Sequence, residues 1–169
     1  HSSVDNVSDW DAPTPVKEWT ARDVIGHLTT WFPEFLKAGG VDLPAGPSVN
    51  DDPAAAWRHQ MQAVQTLLDG PDAEREFAHP MTGPTTLGAG INQFYTSDVV
   101  FHSWDLARSA GQDFEIDHAS EIYEGMSAVE DGLRASGQFG TRVEVPDDAS
   151  AQDKLLGLIG RDPYWEPRS

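Results

Sequence analysis

The stretch "SDVVFHSWDLAR" at residues 97–108 places three titratable side chains at helical spacing. Asp98, His102 and Asp105 recur at i, i+4 and i+7, positions that an amphipathic helix normally fills with hydrophobic residues. Because Cβ atoms at i and i+4 lie about 5–6 Å apart, Asp98 and His102 could converge on one cation. The same spacing also allows an Asp–His pair whose two side chains hydrogen-bond to each other and bind no metal. The residues alone therefore predict either a pair of metal ligands or a polar contact at the edge of a helix bundle.

A third candidate, His27, lies in "ARDVIGHLTTW", between Val24 and Trp31 on one helical surface. This position borders an apolar stripe, where a histidine is often an ordinary hydrogen-bonded residue. Combined with Asp98 and His102, it could complete a His/carboxylate/His site on two inward-facing helices. The other histidines lie on polar or loop-forming segments and are predicted to be surface residues: His59, His79 and His118.

Composition limits the classes of function. The chain has 169 residues, of which 38% are hydrophobic, and this suits one folded domain. A net charge of −17 repels phosphates and anionic lipid headgroups, so nucleic-acid and membrane-surface binding are not expected. The absence of cysteine excludes disulfides, thiolate metal ligands and a cysteine nucleophile. No signal peptide or apolar run of membrane length is visible, which predicts a soluble cytoplasmic protein.

Capping and stop residues predict the elements that must position these side chains. Thr20 with Asp23 three residues on is typical of a helix start, and Pro33 is expected to kink that helix or end it a turn early. Residues 71–90 are expected to be irregular, and residues 142–145 to form a short strand. The predicted helices span residues 20–37, 52–70, 91–110, 119–135 and 150–160.

Helices with one apolar stripe each, joined by short to medium loops, are typical of an all-α helix bundle. The segment "VDNVSDWDAPTPVKEW" is too rich in proline and aspartate to form a full bundle helix. We expect a single domain over residues 1–169, in which residues 1–9 are the remnant of a tag or a truncated first helix.

Several segments together resemble a known family. "WDAPTPVKEWTARDVIGHLTTW" (10–31) and "SDVVFHSWDLARSAGQ" (97–112) are similar to the two motifs of mycothiol-dependent maleylpyruvate isomerase-like, metal-binding proteins of the DinB/YfiT-like superfamily. "FGTRVEVPDDASAQDKLLGLIGRDPYW" (139–165) resembles the closing segment of an actinobacterial branch. The resemblance implies a DinB-like four-helix bundle with an additional C-terminal helix, irregular connectors and a metal near one end. It also makes a homodimer an expectation.

The resemblance further implies a divalent metal held by His27, Asp98 and His102. Better-known members have glutamate at the carboxylate position, where this chain has the shorter aspartate. Asp105 and Arg108 match the "DLAR" of the second motif and are expected to support the ligands or the fold.

The activity implied is a metal-dependent one. The metal would activate a low-molecular-weight thiol such as mycothiol for S-transfer to, or isomerisation of, a small electrophile. Zinc is the first expectation for the metal, with nickel, iron and manganese as alternatives. Candidate walls of a substrate pocket are Trp31, Tyr95 and Trp104. The alternative is a bundle that binds a metal or ligand without catalysis, as a sensor, carrier or stress-response module.

Overall fold

The structure, a computed structural model, describes residues 2–5, 7–79, 83–135 and 141–167. It confirms a mostly helical fold and adds one antiparallel hairpin, β1 (Glu76–His79) with β2 (Gly83–Thr86). The α-helices of the described residues are α1 (Ser2–Asp5), α2 (Ala21–Ala38), α3 (Pro53–Asp69), α4 (Leu87–Ile91), α5 (Ser97–Ser109), α6 (Ala119–Ser127), α7 (Glu130–Ala135) and α8 (Ala151–Leu158).

Helix α2 begins where its capping residues predict. The Thr20 hydroxyl accepts a hydrogen bond from the backbone N–H of Asp23, while the Asp23 carboxylate accepts from the Thr20 N–H. This reciprocal arrangement satisfies two of the N–H groups that a helix start leaves open. The helix runs on through Pro33 to Ala38, close to the predicted limit at residue 37, so of the two effects expected of Pro33 the early end does not occur.

The predicted limits of α3 are confirmed. At its start, the Asp52 side chain accepts a hydrogen bond from the Ala55 N–H, and Pro53 is the first residue of the helix. At its end, Gly70 follows the last helical turn. Inside the core, the Gln60 amide donates to the Leu28 carbonyl oxygen at 2.9 Å and to the Tyr95 hydroxyl at 3.0 Å. These bonds tie α3 to α2 and to the segment before α5.

The helix that carries Asp98 starts earlier than predicted. Helix α4 opens at Leu87, where the Thr86 hydroxyl accepts from Ala89, and a π-helical turn (Asn92–Thr96) leads directly into α5. The expectation of irregular structure over residues 71–90 is therefore wrong for most of that segment. A 3₁₀ turn (Pro71–Glu74) and the hairpin precede α4.

The C-terminal part departs further from expectation. The helix predicted over residues 119–135 is broken into α6 and α7, and residues 141–146 form no strand. The Val143 N–H instead donates to the Gly157 carbonyl oxygen at 2.9 Å, so an extended segment crosses α8. Helix α8 starts at the predicted cap, because the Ser150 hydroxyl accepts from the N–H of Asp153.

Two hydrophobic clusters meet at α5. Helices α1, α2, α3 and α5 pack around the larger one, to which α1 contributes the buried Val4. The smaller cluster lies between α5, α6 and α8 and includes Phe101, Trp104 and Leu155. Within the described part of the chain, each helix is too short or too polar to cross a membrane.

Candidate metal centre

His27 on α2 and the pair Asp98 and His102 on α5 converge in space. The His27 Nε2 lies 3.4 Å from Asp98 Oδ2, and the His102 Nε2 lies 3.4 Å from Asp98 Oδ1. One ligand atom from each residue falls within 4.8 Å of the other two. The His102 side chain is only 5% exposed, whereas those of His27 and Asp98 are 33% and 27% exposed. The site is therefore buried at His102 and open at His27 and Asp98.

Neighbouring side chains fix the orientation of these groups. The Trp31 indole Nε1–H donates to Asp98 Oδ2 at 2.9 Å. The His102 Nδ1 lies 2.8 Å from Asp105 Oδ2, and because an ionised carboxylate can only accept, Nδ1 carries the proton of this hydrogen bond. The Nε2 lone pair of a neutral His102 is then left directed toward Asp98.

The charges of the site are set by burial and by these contacts. Burial opposes ionisation of Asp98, but the imidazoles of His102 and His27 outweigh it and hold the pKa of the carboxyl well below its usual range. Burial likewise opposes ionisation of Asp105, but Arg161 and His102 lower its pKa. Burial lowers the pKa of His102, and the carboxylates of Asp105 and Asp98 reverse this and raise it. Both aspartates are therefore anionic at neutral pH.

The donor set fits a divalent metal. Ligand atoms about 2.1 Å from a tetrahedral ion, at bond angles of about 109°, lie about 3.4 Å apart. Each of the two Asp98 oxygens lies 3.4 Å from a different imidazole nitrogen, a separation longer than the roughly 2.7–2.9 Å of a charge-assisted hydrogen bond. An Nε2 lone pair that faces a carboxylate oxygen needs a proton or a cation between them. A cation shared by His27, Asp98 and His102 would satisfy all three groups at once.

Behind His102 lies a buried ion pair that the sequence does not reveal. Arg161, which follows α8, contacts Asp105 through two hydrogen bonds, Nε to Oδ1 at 3.1 Å and Nη2 to Oδ2 at 2.9 Å. The two residues are 56 positions apart, and only the three-dimensional structure brings them together. Asp105 thus supports His102 from behind. Arg108 instead donates to the Trp165 carbonyl oxygen and pairs with Asp113, away from the candidate metal ligands.

Trp19 is a second residue that sequence reasoning missed. Its indole lies over both imidazoles, with ring centroids 5.1 Å from His27 and 6.0 Å from His102. The backbone N–H of Thr14 donates to the Trp19 carbonyl oxygen and fixes the loop that presents this ring. The position of Trp19 directly before the cap Thr20 predicts a hydrophobic contact at the start of the helix, but it does not indicate a place beside the two imidazoles.

An open cavity of about 640 Å³ lies beside the site, with His27 in its wall. Of the three aromatic residues predicted as pocket walls, the structure places only Trp31 there, together with Trp19. Tyr95 is buried instead, stacked on Phe32 with ring centroids 3.7 Å apart. Trp104 belongs to the smaller hydrophobic cluster and borders a separate cavity of about 430 Å³.

The other histidines lie away from this centre. His118 is exposed, as predicted, and His59 is partly exposed with its Nε2 3.0 Å from the Pro44 carbonyl oxygen. The prediction of a surface position for His79 is wrong, because this residue lies on β1 and is buried against Phe35, with ring centroids 4.3 Å apart.

The fold and the site together define a helical protein with a candidate His/Asp metal centre beside an open cavity. The family model for the mycothiol maleylpyruvate isomerase N-terminal domain matches residues 3–107, which is more than half of the chain. The chain belongs to this family, and the resemblance of its two motifs is confirmed.

Among curated proteins, similar relatives come from Mycobacterium tuberculosis, which agrees with the actinobacterial resemblance. These are the uncharacterized protein MT0763 of strain CDC 1551 / Oshkosh and the uncharacterized protein Rv0738 of strain H37Rv. Each is 29% identical over 159 residues, a match that covers 88% of this chain and 83% of the relative. No solved structure is significantly similar to the chain.

Proposed function

We propose that this protein is a divalent-metal-dependent enzyme. It would activate a low-molecular-weight thiol of the mycothiol type for S-transfer to, or isomerisation of, a small electrophilic substrate. The observation that carries the proposal is the convergence of His27, Asp98 and His102 beside an open cavity. Membership of a family described by mycothiol and maleylpyruvate isomerase supports the choice of thiol.

The three ligands leave coordination positions free, as catalytic sites of this donor type do. Zinc is the first candidate from the ligand types, and nickel, iron(II) and manganese also suit them. The bound metal supplies positive charge that favours the thiolate form of a thiol at neutral pH. Two of the proposed ligands are held in place, since Asp105 bonds to His102 and the Trp31 N–H donates to Asp98. The more exposed His27 faces the cavity.

The cavity supplies the space for thiol and substrate. The indoles of Trp19 and Trp31 offer flat apolar surfaces, and Thr30 and Asn50 offer hydrogen-bonding groups for a hydroxylated thiol. The chain has no cysteine, so in this proposal the reacting sulfur comes from the thiol itself. In an addition, that sulfur bonds to an electrophilic carbon as its carbon–carbon double bond opens, and the thiol proton ends on the product. In a substitution, the sulfur replaces a leaving group such as chloride, which departs as the anion while the thiol proton goes to solvent. In an isomerisation, the same bond breaks after rotation and releases the thiol.

The proposed partners are the thiol and a small molecule, not nucleic acid or membranes, in agreement with the net charge of −17. A cytoplasmic location and a homodimer, both expected from the sequence, form part of the proposal. Size-exclusion chromatography with light scattering tests the homodimer.

Metal binding is tested on the full chain prepared without a histidine tag. Zinc at about 100 times its dissociation constant should stabilise the wild type by about 2.7 kcal/mol. That stabilisation raises Tm by about 5–11 °C for a chain of this length. His102→Ala should abolish the shift, whereas His118→Ala, which removes an exposed histidine, should leave it unchanged. Full zinc binding by His102→Ala would show that the ligand set is wrong.

Catalysis is tested separately with mycothiol as the thiol and two electrophiles, monochlorobimane and maleylpyruvate. Turnover that requires both metal and mycothiol supports the proposal, and the electrophile consumed distinguishes S-transfer from isomerisation. Stoichiometric metal binding with no turnover of either electrophile would favour the non-catalytic metal-binding alternative.

A further inference from the structure

The ion pair between Arg161 and Asp105 lies directly behind His102. Asp105 is fully buried, and the Arg161 side chain is only 13% exposed. The planar guanidinium approaches both carboxylate oxygens, with Nε 3.1 Å from Oδ1 and Nη2 2.9 Å from Oδ2. Two parallel hydrogen bonds fix the plane of the carboxylate as well as its position.

The orientation of this carboxylate matters because Asp105 Oδ2 also accepts from His102 Nδ1–H at 2.8 Å. A fixed acceptor at Nδ1 holds the imidazole in one plane and reserves Nε2 for Asp98 and for a cation. The identity of the protonated ring nitrogen is set by such an outer partner. The geometry therefore forms a relay of contacts from Arg161 through Asp105 to His102.

The C-terminal segment, residues 159–165, is attached to α5 by two arginines that point in opposite directions. Arg161 reaches from the segment to Asp105, while Arg108 reaches from α5 to the Trp165 carbonyl oxygen at 2.9 Å. The Arg161 N–H donates to the Leu156 carbonyl oxygen at 2.8 Å, and Gly160 has a φ of +92°, so the chain turns sharply after α8 to deliver the guanidinium.

We propose that Arg161 is a positioning residue of the metal centre, acting through Asp105 on His102. The centre is then completed by a segment outside residues 3–107, the part of the chain that the family model matches. This inference rests on the proposed function, because it takes His27, Asp98 and His102 as the ligands.

A consequence follows from thermodynamic linkage. If attachment of the C-terminal segment favours the metal-binding orientation of His102, metal binding must favour attachment of that segment by the same factor. The coupling can be measured in two ways. One is the affinity of the protein for metal, and the other is the protection of residues 159–165 from hydrogen exchange.

The first test measures the affinity of the full chain for zinc alone, by competition with a chromophoric chelator. Loss of a residue that orients a metal ligand typically lowers metal affinity about 10–100-fold. Arg161→Met should show such a loss, and Arg161→Lys, which keeps the charge but not the planar fork, should recover part of it. Arg58→Lys alters an exposed arginine paired with Asp5 and serves as the control with wild-type affinity.

Because removing one partner of a buried ion pair can unfold a protein, a second test uses the wild type. Hydrogen exchange of residues 159–165 should slow when zinc is added. Wild-type zinc affinity in a folded Arg161→Met variant, or unchanged exchange over residues 159–165 in the zinc-loaded wild type, would overturn the role of Arg161. A wild type that binds neither zinc nor any of nickel, iron(II) and manganese would instead overturn the proposed function.

Discussion

Replacing Asp98 by glutamate tests whether the length of this side chain sets the geometry of the site. The better-known proteins that the chain resembles carry glutamate here, so Asp98→Glu restores the residue type of their motif. The structure predicts that this substitution lowers the affinity for metal. The present carboxylate already reaches both imidazoles, with Oδ2 at 3.4 Å from His27 Nε2 and Oδ1 at 3.4 Å from His102 Nε2.

The magnitude follows from what the longer side chain must give up. One methylene moves the carboxylate by about 1.5 Å, whereas ligand distances tolerate about 0.2 Å. To return to the ion, the carboxylate of Asp98→Glu must leave its present position, where the Trp31 N–H donates at 2.9 Å. A hydrogen bond to a charged group contributes about 1.5–3 kcal/mol, so the affinity for zinc should fall at least about tenfold.

Isothermal titration of the apoprotein with zinc measures this loss. Asp42→Glu makes the same chemical change at an exposed position and should bind as the wild type does. Asp98→Asn keeps the length but removes the charge, and it should lose more affinity than Asp98→Glu. Zinc affinity of Asp98→Glu equal to or above that of the wild type would refute the argument from side-chain length.

Three further predictions concern the stability of the fold. Gly39→Ala would place a methyl group on the fully buried Phe77 ring, so urea denaturation should show a loss of about 1–3 kcal/mol. Gly125→Ala on α6 meets no atom of the described residues within 4 Å and should stabilise by about 0.4–1 kcal/mol. Burial raises the pKa of the Tyr95 phenol above its usual range, so its contribution to stability is complete below about pH 10 and is lost at higher pH. At neutral pH, Tyr95→Phe should lower the free energy of unfolding, because Gln60 loses a hydrogen-bond partner. Above pH 10, the free energy of unfolding of this variant should fall less steeply with pH than that of the wild type.

The fold was predictable where local chemistry decides it. The starts of α2, α3 and α8 follow from Thr20, Asp52 and Ser150, whose side chains bond to nearby backbone N–H groups. The earlier start of α4 also has a local cap, Thr86, which the sequence reasoning overlooked. The hairpin was not predictable in this way, because it depends on the packing of distant residues. Phe77 illustrates this, since its buried ring stands against Gly39 on one side and Gly90 on the other.

The candidate site was likewise predictable from the sequence only where its residues lie close together along the chain. Spacing along one helix relates Asp98, His102 and Asp105, and the border position of His27 suggested a fourth member. Spacing gives no information about pairs that only the fold brings together. For that reason the ion pair of Arg161 with Asp105 escaped sequence reasoning.

The inward polar stripe of α5 is explained by the two clusters that this helix joins. Leu106 packs in the larger cluster and Phe101 and Trp104 in the smaller, so α5 has apolar partners on both sides. A carboxylate placed between two apolar clusters is stable only with a counterion at hand. Asp105 has that counterion only because the C-terminal segment returns to α5. The polar stripe of α5 therefore depends on the C-terminal segment, whose Arg161 holds the carboxylate that orients His102.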